Sequence, residues 1–183
     1  MSHIARHTLG FYRDTSLPAQ IDPEALIKEV LVVYESRLRA AGIEVQVRCT
    51  AESKVEGLRG EMHQVISNSI DAMPNSGSIS INIEDSHLDG VQGIGITFSD
   101  TGKGIPAENL PRLFEPFFTT KPNAGTGLGL WVVKQFIDSW GGRIKVDSST
   151  DTNNHGTNFT LFVPLVALSK SRIKNIESAQ TPS

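Results

Sequence analysis

The chain has 183 residues, a net charge of −3, 38% hydrophobic residues and 20% charged ones, which suits one globular domain with appendages and a sizeable buried core. Mild acidity excludes a general binder of nucleic acid or membrane surfaces, and a single cysteine, Cys49, excludes an internal disulfide. There is no apolar run long enough to span a bilayer and no signal-peptide pattern, so the chain reads as cytoplasmic; a parent protein can still be membrane-anchored through other segments.

Residues 3–14 carry Ile4, Leu9 and Phe11 and read as a short helix that ends by Pro18. Asp22-Pro23-Glu24 is a helix start: an N-cap acid, proline at the first helical position and a further acid in the first turn. Leu26, Ile27, Val30, Leu31, Val33, Tyr34 and Leu38 then recur at helical spacing up to Gly42, a C-terminal cap. Residues 43–49 alternate as a strand with one face buried, which makes Cys49 a half-buried structural thiol. Residues 55–58 read as a shorter strand.

Residues 61–73 follow the helical period through Met62, Val65, Ile66, Ser69, Ile70 and Met73. Gln64, Asn68 and Asp71 form a polar row on one face of this helix, either a solvated stripe or a face for metal and phosphate. A turn at 74–77, a strand over 78–84, a turn at Asp89-Gly90 and a strand over 91–99 follow as an antiparallel pair. That strand delivers Asp100 into a turn containing Gly102 and Gly104, where glycine lets backbone approach a ligand closely. Residues 106–124 are long for a plain connection and read as a lid. Phe114 and Phe117 are expected to form a small satellite core within it, and the three lid phenylalanines, Phe118 included, a hydrophobic hinge. Gly125, Gly127 and Gly129 open a helix over 128–140, whose free N–H groups suit an anion. Strands over 143–148 and 156–164 flank a polar turn, and a polar tail begins after Leu168. A carboxylate at one loop and backbone donors at another fit a ligand with a donor at one end and negative charge at the other, of which a nucleotide is the obvious candidate. No Gly-x-x-x-x-Gly-Lys-[Ser/Thr] loop, zinc spacing, Ser/His/Asp triad or internal repeat competes with that reading.

These residues resemble the ATP-binding catalytic domain of sensor histidine kinases, within the gyrase, Hsp90, histidine kinase and MutL superfamily. Asp100-Thr-Gly-Lys-Gly104 is similar to its G1 box, Phe114-Glu-Pro-Phe-Phe118 to its F box and Gly125-Thr-Gly-Leu-Gly129 to its G2 box. Residues 61–73 resemble its N box with about four residues missing, roughly one helical turn. Matched from the right, Asn68 takes the magnesium-binding asparagine's place and Gln64 the earlier polar one; matched from the left, the magnesium position is empty. The right-hand match is preferred because residues 68–74 run continuously into the next strand.

The resemblance implies an α+β two-layer sandwich, a mixed, mostly antiparallel sheet covered on one face by three helices and preceded by a short helix. It divides the chain into the end of a dimerisation hairpin helix (1–18), the ATP-binding domain (19–166) and a flexible tail (167–183). Asp100 would accept a hydrogen bond from the adenine amino group, with Ala72 and Ile105 against the ring and Gly102 and Gly104 letting backbone close over it. Asn68 would bind Mg²⁺, while Gly125, Thr126, Gly127, Leu128 and Gly129 hold phosphates. Thr120 and Lys121 would meet phosphate oxygens, Lys121 at the terminal one. Thr157 would contact the base, or serve only as a β-branched strand residue. The implied partners are a histidine-bearing dimerisation domain, a response-regulator receiver domain and a second copy of the parent hairpin. The acceptor histidine is expected outside this chain, since Ser2-His3-Ile4-Ala5-Arg6 matches its motif poorly and His3 and His7 read as surface residues. The shortened N box leaves open a catalytically impaired nucleotide-binding or interaction module, and a related serine kinase is a third reading.

Overall fold

The computed structural model describes residues 20–55, 58–121 and 125–165. The short helix expected within 1–18 and the tail expected from 167 onward lie outside them. Three α-helices, α1 (Pro23–Ala40), α2 (Arg59–Ala72) and α3 (Gly129–Ser139), accompany five strands. The strands are β1 (Ile43–Cys49), β2 (Gly77–Leu88), β3 (Val91–Asp100), β4 (Arg143–Ser149) and β5 (Gly156–Pro164), in one sheet of order β1-β2-β3-β5-β4. β1 runs parallel to β2 and every other neighbouring pair is antiparallel. This is the expected open, mixed α+β sheet.

Alternation decides which face is covered. Ile79, Ile81 and Ile83 of β2, Ile94, Ile96 and Phe98 of β3, and Phe159, Leu161 and Val163 of β5 are buried. They share one core with Leu26, Ile27 and Val30 of α1, Met62, Val65, Ile66 and Ile70 of α2, and Val133 and Ile137 of α3. Burying each such side chain contributes about 1.5–3 kcal/mol. Truncating the central Phe98 to alanine would therefore cost ~3–5 kcal/mol, a large share of a domain's net stability.

Local chemistry sets the ends of the elements. Asp22 Oδ1 accepts the N–H groups of Glu24 (2.8 Å) and Ala25 (3.0 Å), capping α1. β2 continues to Leu88, beyond the expected strand over 78–84. It turns into β3 through Asp89 and Gly90, whose φ values of 52° and 77° give the two-residue hairpin turn that Asp-Gly favours.

Of the strand expected over 55–58, the described residues Val55 and Leu58 belong to no strand of the sheet. Val55 makes one antiparallel bridge with Ile21, Ile21 N–H donating to Val55 O at 2.7 Å and Val55 N–H to Ile21 O at 2.9 Å. Leu58 has φ 73° and starts α2, while residues 56 and 57 lie outside the described set. Both side chains plug the core, so their apolar character marks burial rather than strand pairing.

One cross-strand row prepares the site. Ile79, Asp100, Thr157 and Ser148 are successive register partners across β2, β3, β5 and β4. Directly opposed residues share a sheet face, so the polar end of this row continues the apolar core.

Candidate functional site

β3 ends at Asp100, and its carboxylate is buried at 8% exposure. Burial raises its pKa, opposed by hydrogen bonds from Gly102 N–H to Oδ1 (3.0 Å) and from the Thr157 backbone and by the nearby Ser69 hydroxyl. The Ser69 hydroxyl on α2 faces this carboxylate and favours its charge, yet lacks good hydrogen-bond geometry. It is fully buried and has no partner of its own. A buried polar atom left this way is costly unless a ligand or water completes it.

The loop after Asp100 is held from several sides. Thr101 N–H donates to Ser78 O (3.2 Å), Lys103 N–H to Ala72 O (3.2 Å) and Ile105 N–H to Ser148 Oγ (2.8 Å). Gly104 has φ 72°, and a Cβ there would stand 1.9 Å from the Ser149 carbonyl oxygen, so only glycine fits.

Above the loop, a cavity of about 870 Å³ opens between α2, α3, the loop and the lid, a size suited to a small-molecule ligand. It brings together Gln64, Asn68, Ala72, Asp100, Gly104, Ile105, Thr120, Lys121, Gly125, Thr126, Gly127, Gly129 and Thr157 of the expected site residues. Gly102 and Leu128 do not line it. Gly102 lies under Ala72, where a Cβ would come within 2.7 Å of the alanine Cβ. Leu128 is the N-cap of α3 and has no side-chain cap, which leaves that helix start with free N–H donors facing the glycine run.

Asn68 carries the polar chemistry of α2. Its Oδ1 accepts from Gln64 Nε2 at 3.3 Å and from Lys121 Nζ at 3.4 Å. Lys121 also reaches Asp71 Oδ2 at 2.5 Å, and Asp71 Oδ1 accepts from Arg37 Nη2 of α1 at 2.6 Å. A Cβ on Gly129 would lie 2.3 Å from the Gln64 amide, so α3 begins hard against this side chain. Asn68, the asparagine on which the right-hand match rests, lines the cavity. α2 begins at Arg59, two residues before the expected start, and recovers part of the missing turn.

The lid departs from expectation. Its first part is a 3-10 helix, Ala107–Arg112, and residues 122–124 lie outside the described set. Phe114 packs against the main core instead of forming a satellite core within the lid. Phe117 does neither: it is 73% exposed with φ 67°. Phe118 lines the cavity, with the Arg112 guanidinium 4.6 Å from its ring centroid. The left-handed backbone at Phe117 turns its ring outward and aims the next ring inward.

Ser69, Ser148 and His155 carry no motif that marks them in the sequence. In the sequence Ser69 follows the helical period of a core position, Ser148 ends a strand and His155 lies in a polar turn.

The residues present fit a magnesium nucleotide. The acceptor at the cavity floor, the orphaned Ser69 hydroxyl and the donor-rich start of α3 complement a purine and a phosphate. One amide oxygen, from Asn68, is a sufficient protein ligand for a cation that otherwise keeps phosphate and water. Among the described residues there is no cluster of three His, Cys, Asp or Glu side chains that could hold a metal unaided, and no helix long and apolar enough to cross a membrane.

Comparison with known proteins agrees with this geometry. Residues 54–167 match the family described as histidine kinase-, DNA gyrase B-, and HSP90-like ATPase. The chain is 38% identical over 131 residues to the sensor histidine kinase ZraS of Salmonella typhimurium, covering 68% of this chain and 27% of that protein. The catalytic domain of histidine kinase ThkA superposes with a TM-score of 0.69 at 27% identity, over 81% of this chain and 96% of that domain. ThkA in complex with response regulator protein TrrA gives 0.66 at 26% identity, over 90% of this chain and 47% of the kinase chain. The chain spans about a quarter to a third of the length of the curated relatives it matches. Since the family match covers well over half of the 183 residues, this chain belongs to the histidine kinase-, DNA gyrase B- and HSP90-like ATPases and carries the ATP-binding catalytic domain of a sensor histidine kinase.

Proposed function

We propose that this chain binds ATP with Mg²⁺ and donates the γ-phosphoryl group to a histidine on a dimerisation domain of its parent protein, for relay to a response regulator on the cytoplasmic side. The observation that carries this is the buried acceptor Asp100 at one end of a cavity whose other end holds Asn68 and the open start of α3.

Each residue then has a task. Asp100 accepts from the adenine amino group, Thr157 stands beside it, and Ala72 and Ile105 flank the ring. Gly102 and Gly104 keep the loop backbone low enough for the base to enter. Asn68 offers its amide oxygen to Mg²⁺, with Gln64 holding that amide. Thr126 and the glycine run, with Leu128 and Gly129, present N–H groups to phosphate, and Thr120 and Lys121 approach from the lid. Bound magnesium would neutralise charge on the phosphates and fix their orientation. Because phosphoryl transfer asks mainly for positioning and charge neutralisation, no general base is required of this chain. The acceptor imidazole nitrogen forms the new N–P bond as the bond from γ-phosphorus to the bridging oxygen breaks, leaving ADP. Residues 19–166 are the binding unit, with 1–18 the end of the dimerisation hairpin and 167–183 a tail.

ThkA, captured with a response regulator, supports the proposed partner. The test is calorimetric titration with a non-hydrolysable ATP analogue, with and without Mg²⁺, followed by transfer to a supplied dimerisation domain. Magnesium-strengthened binding and acid-labile phosphorylation of that domain are expected. A folded sample that binds no nucleotide would overturn the proposal.

A further inference from the structure

The β4–β5 hairpin touches the loop after Asp100 twice. At one end Ser148 Oγ accepts from Ile105 N–H at 2.8 Å. At the other, His155 Nδ1 lies 2.8 Å from the Gly102 carbonyl oxygen. A carbonyl can only accept, so Nδ1 carries the proton.

Ser148 has a further role that follows from counting protons. A serine hydroxyl has one proton and two lone pairs. Ser148 Oγ donates to Gly156 O at 2.7 Å, which uses the proton. Its remaining neighbour, Thr157 Oγ1 at 3.0 Å, must therefore be the donor. The Thr157 proton is thereby fixed on Ser148, and the threonine oxygen, 5% exposed and lining the cavity next to Asp100, has only lone pairs to offer a ligand.

We propose that Ser148 and His155 are positioning residues for the base-binding loop, and that Ser148 makes Thr157 an obligate hydrogen-bond acceptor. Two adjacent acceptors, Asp100 and Thr157, match a ligand edge that carries an amino group and repel one that carries an oxygen. The pair thus reads a 6-amino purine against a 6-oxo purine. Without Ser148 the threonine hydroxyl rotates freely and can donate, which relaxes that choice. His155 acts at the other end of the loop by fixing the carbonyl of Gly102, the residue whose own N–H holds Asp100 Oδ1. The turn carrying it is itself ordered, Asn153 N–H donating to Asp151 Oδ1 at 3.0 Å and Asp151 N–H to Ser149 Oγ at 3.1 Å. The inference rests on the nucleotide-binding reading above.

The test compares dissociation constants for ATP and inosine triphosphate, which replaces the 6-amino group with oxygen. In Ser148→Ala the ATP preference should fall roughly fivefold to tenfold, the worth of one hydrogen bond, and Ser148→Thr should restore it. In His155→Ala both nucleotides should weaken together, and His155→Asn, whose amide nitrogen sits near the Nδ1 position, should recover binding. A general loss of stability would not change the ratio of the two nucleotides. Should Ser148→Ala not fold, the His155 pair still decides the loop role. Unchanged affinity in His155→Ala, or an unchanged ratio in folded Ser148→Ala, overturns the proposal. Asp100→Asn, run alongside, separates the two failures: normal ATP affinity in that variant removes the site assignment itself, whereas lost affinity there with unaltered Ser148 and His155 variants removes only the hairpin's role.

Discussion

Lys121 of the lid is bound to Asp71 of α2, Nζ to Oδ2 at 2.5 Å. The ammonium also faces the Asn68 amide oxygen, the atom proposed as the magnesium ligand. Each charged side chain is about a third exposed, so solvent screens the pair, and its worth to stability is ~0–1 kcal/mol. Asp71→Asn should accordingly shift the urea midpoint little. Lys121→Met should leave stability similar but weaken ATP binding by ~1–2 kcal/mol, because a charge-assisted contact to phosphate is lost. Parallel urea melts and titrations of both variants check this. Equal affinity in Lys121→Met and the parent would remove the lysine from the site.

Asp100 predicts an acid-side response. Its folded pKa lies above the ordinary 3.8 because burial penalises the charge. Between the unfolded and the folded pKa the native state binds more protons than the unfolded state, so stability falls as pH rises through that window and gains as pH drops through it. Nucleotide affinity runs the opposite way, since a protonated carboxyl is a poorer acceptor for the amino group. ATP binding should therefore weaken on acidification at a pH above 3.8, while this site makes the fold firmer. Asp100→Asn should abolish both trends, leave the protein folded and prevent binding at neutral pH. Titrations and melts as a function of pH give the answer, and a pH-independent wild-type affinity through this range would contradict it.

Two glycines should respond differently to alanine. At Gly104 the new Cβ meets backbone, 1.9 Å from the Ser149 oxygen, at φ 72°. Left-handed strain of ~1–2 kcal/mol adds to an overlap of ~1–3 kcal/mol, so Gly104→Ala should unfold the loop and cost several kcal/mol. At Gly129 the Cβ meets only the far end of the Gln64 side chain, which can swing aside. Gly129→Ala should keep its stability within ~1 kcal/mol yet release the Asn68 amide from Gln64. Denaturant melts distinguish the two, and equal losses would refute the contrast.

Phe117 stores strain without burial. A non-glycine residue at φ 67° costs ~1–2 kcal/mol, and the exposed ring recovers little of it. Phe117→Asn, a residue that tolerates this conformation, should raise stability by up to ~1 kcal/mol in equilibrium unfolding. A loss instead would mean the ring is packed.

Short-range rules made most of the scaffold and the ligand class readable in advance. Period-two alternation marked β1 as a strand with one face buried, Asp22-Pro23 started α1, and Asp89-Gly90 closed the hairpin, because each depends on residues adjacent in the chain. Glycine spacing around Asp100 and Gly127 marked the loops, since backbone that must approach a ligand tolerates few other residues. Tertiary structure alone decided three things. It made Val55 and Leu58 core plugs, with Val55 bridging Ile21 outside the five-stranded sheet. It brought Lys121 of the lid onto Asn68 beside Gln64, a contact spanning 53 residues. And it joined Ser148, Thr157 and Asp100 into one cross-strand row, since the register between distant strands is set by the whole sheet packing on the helices.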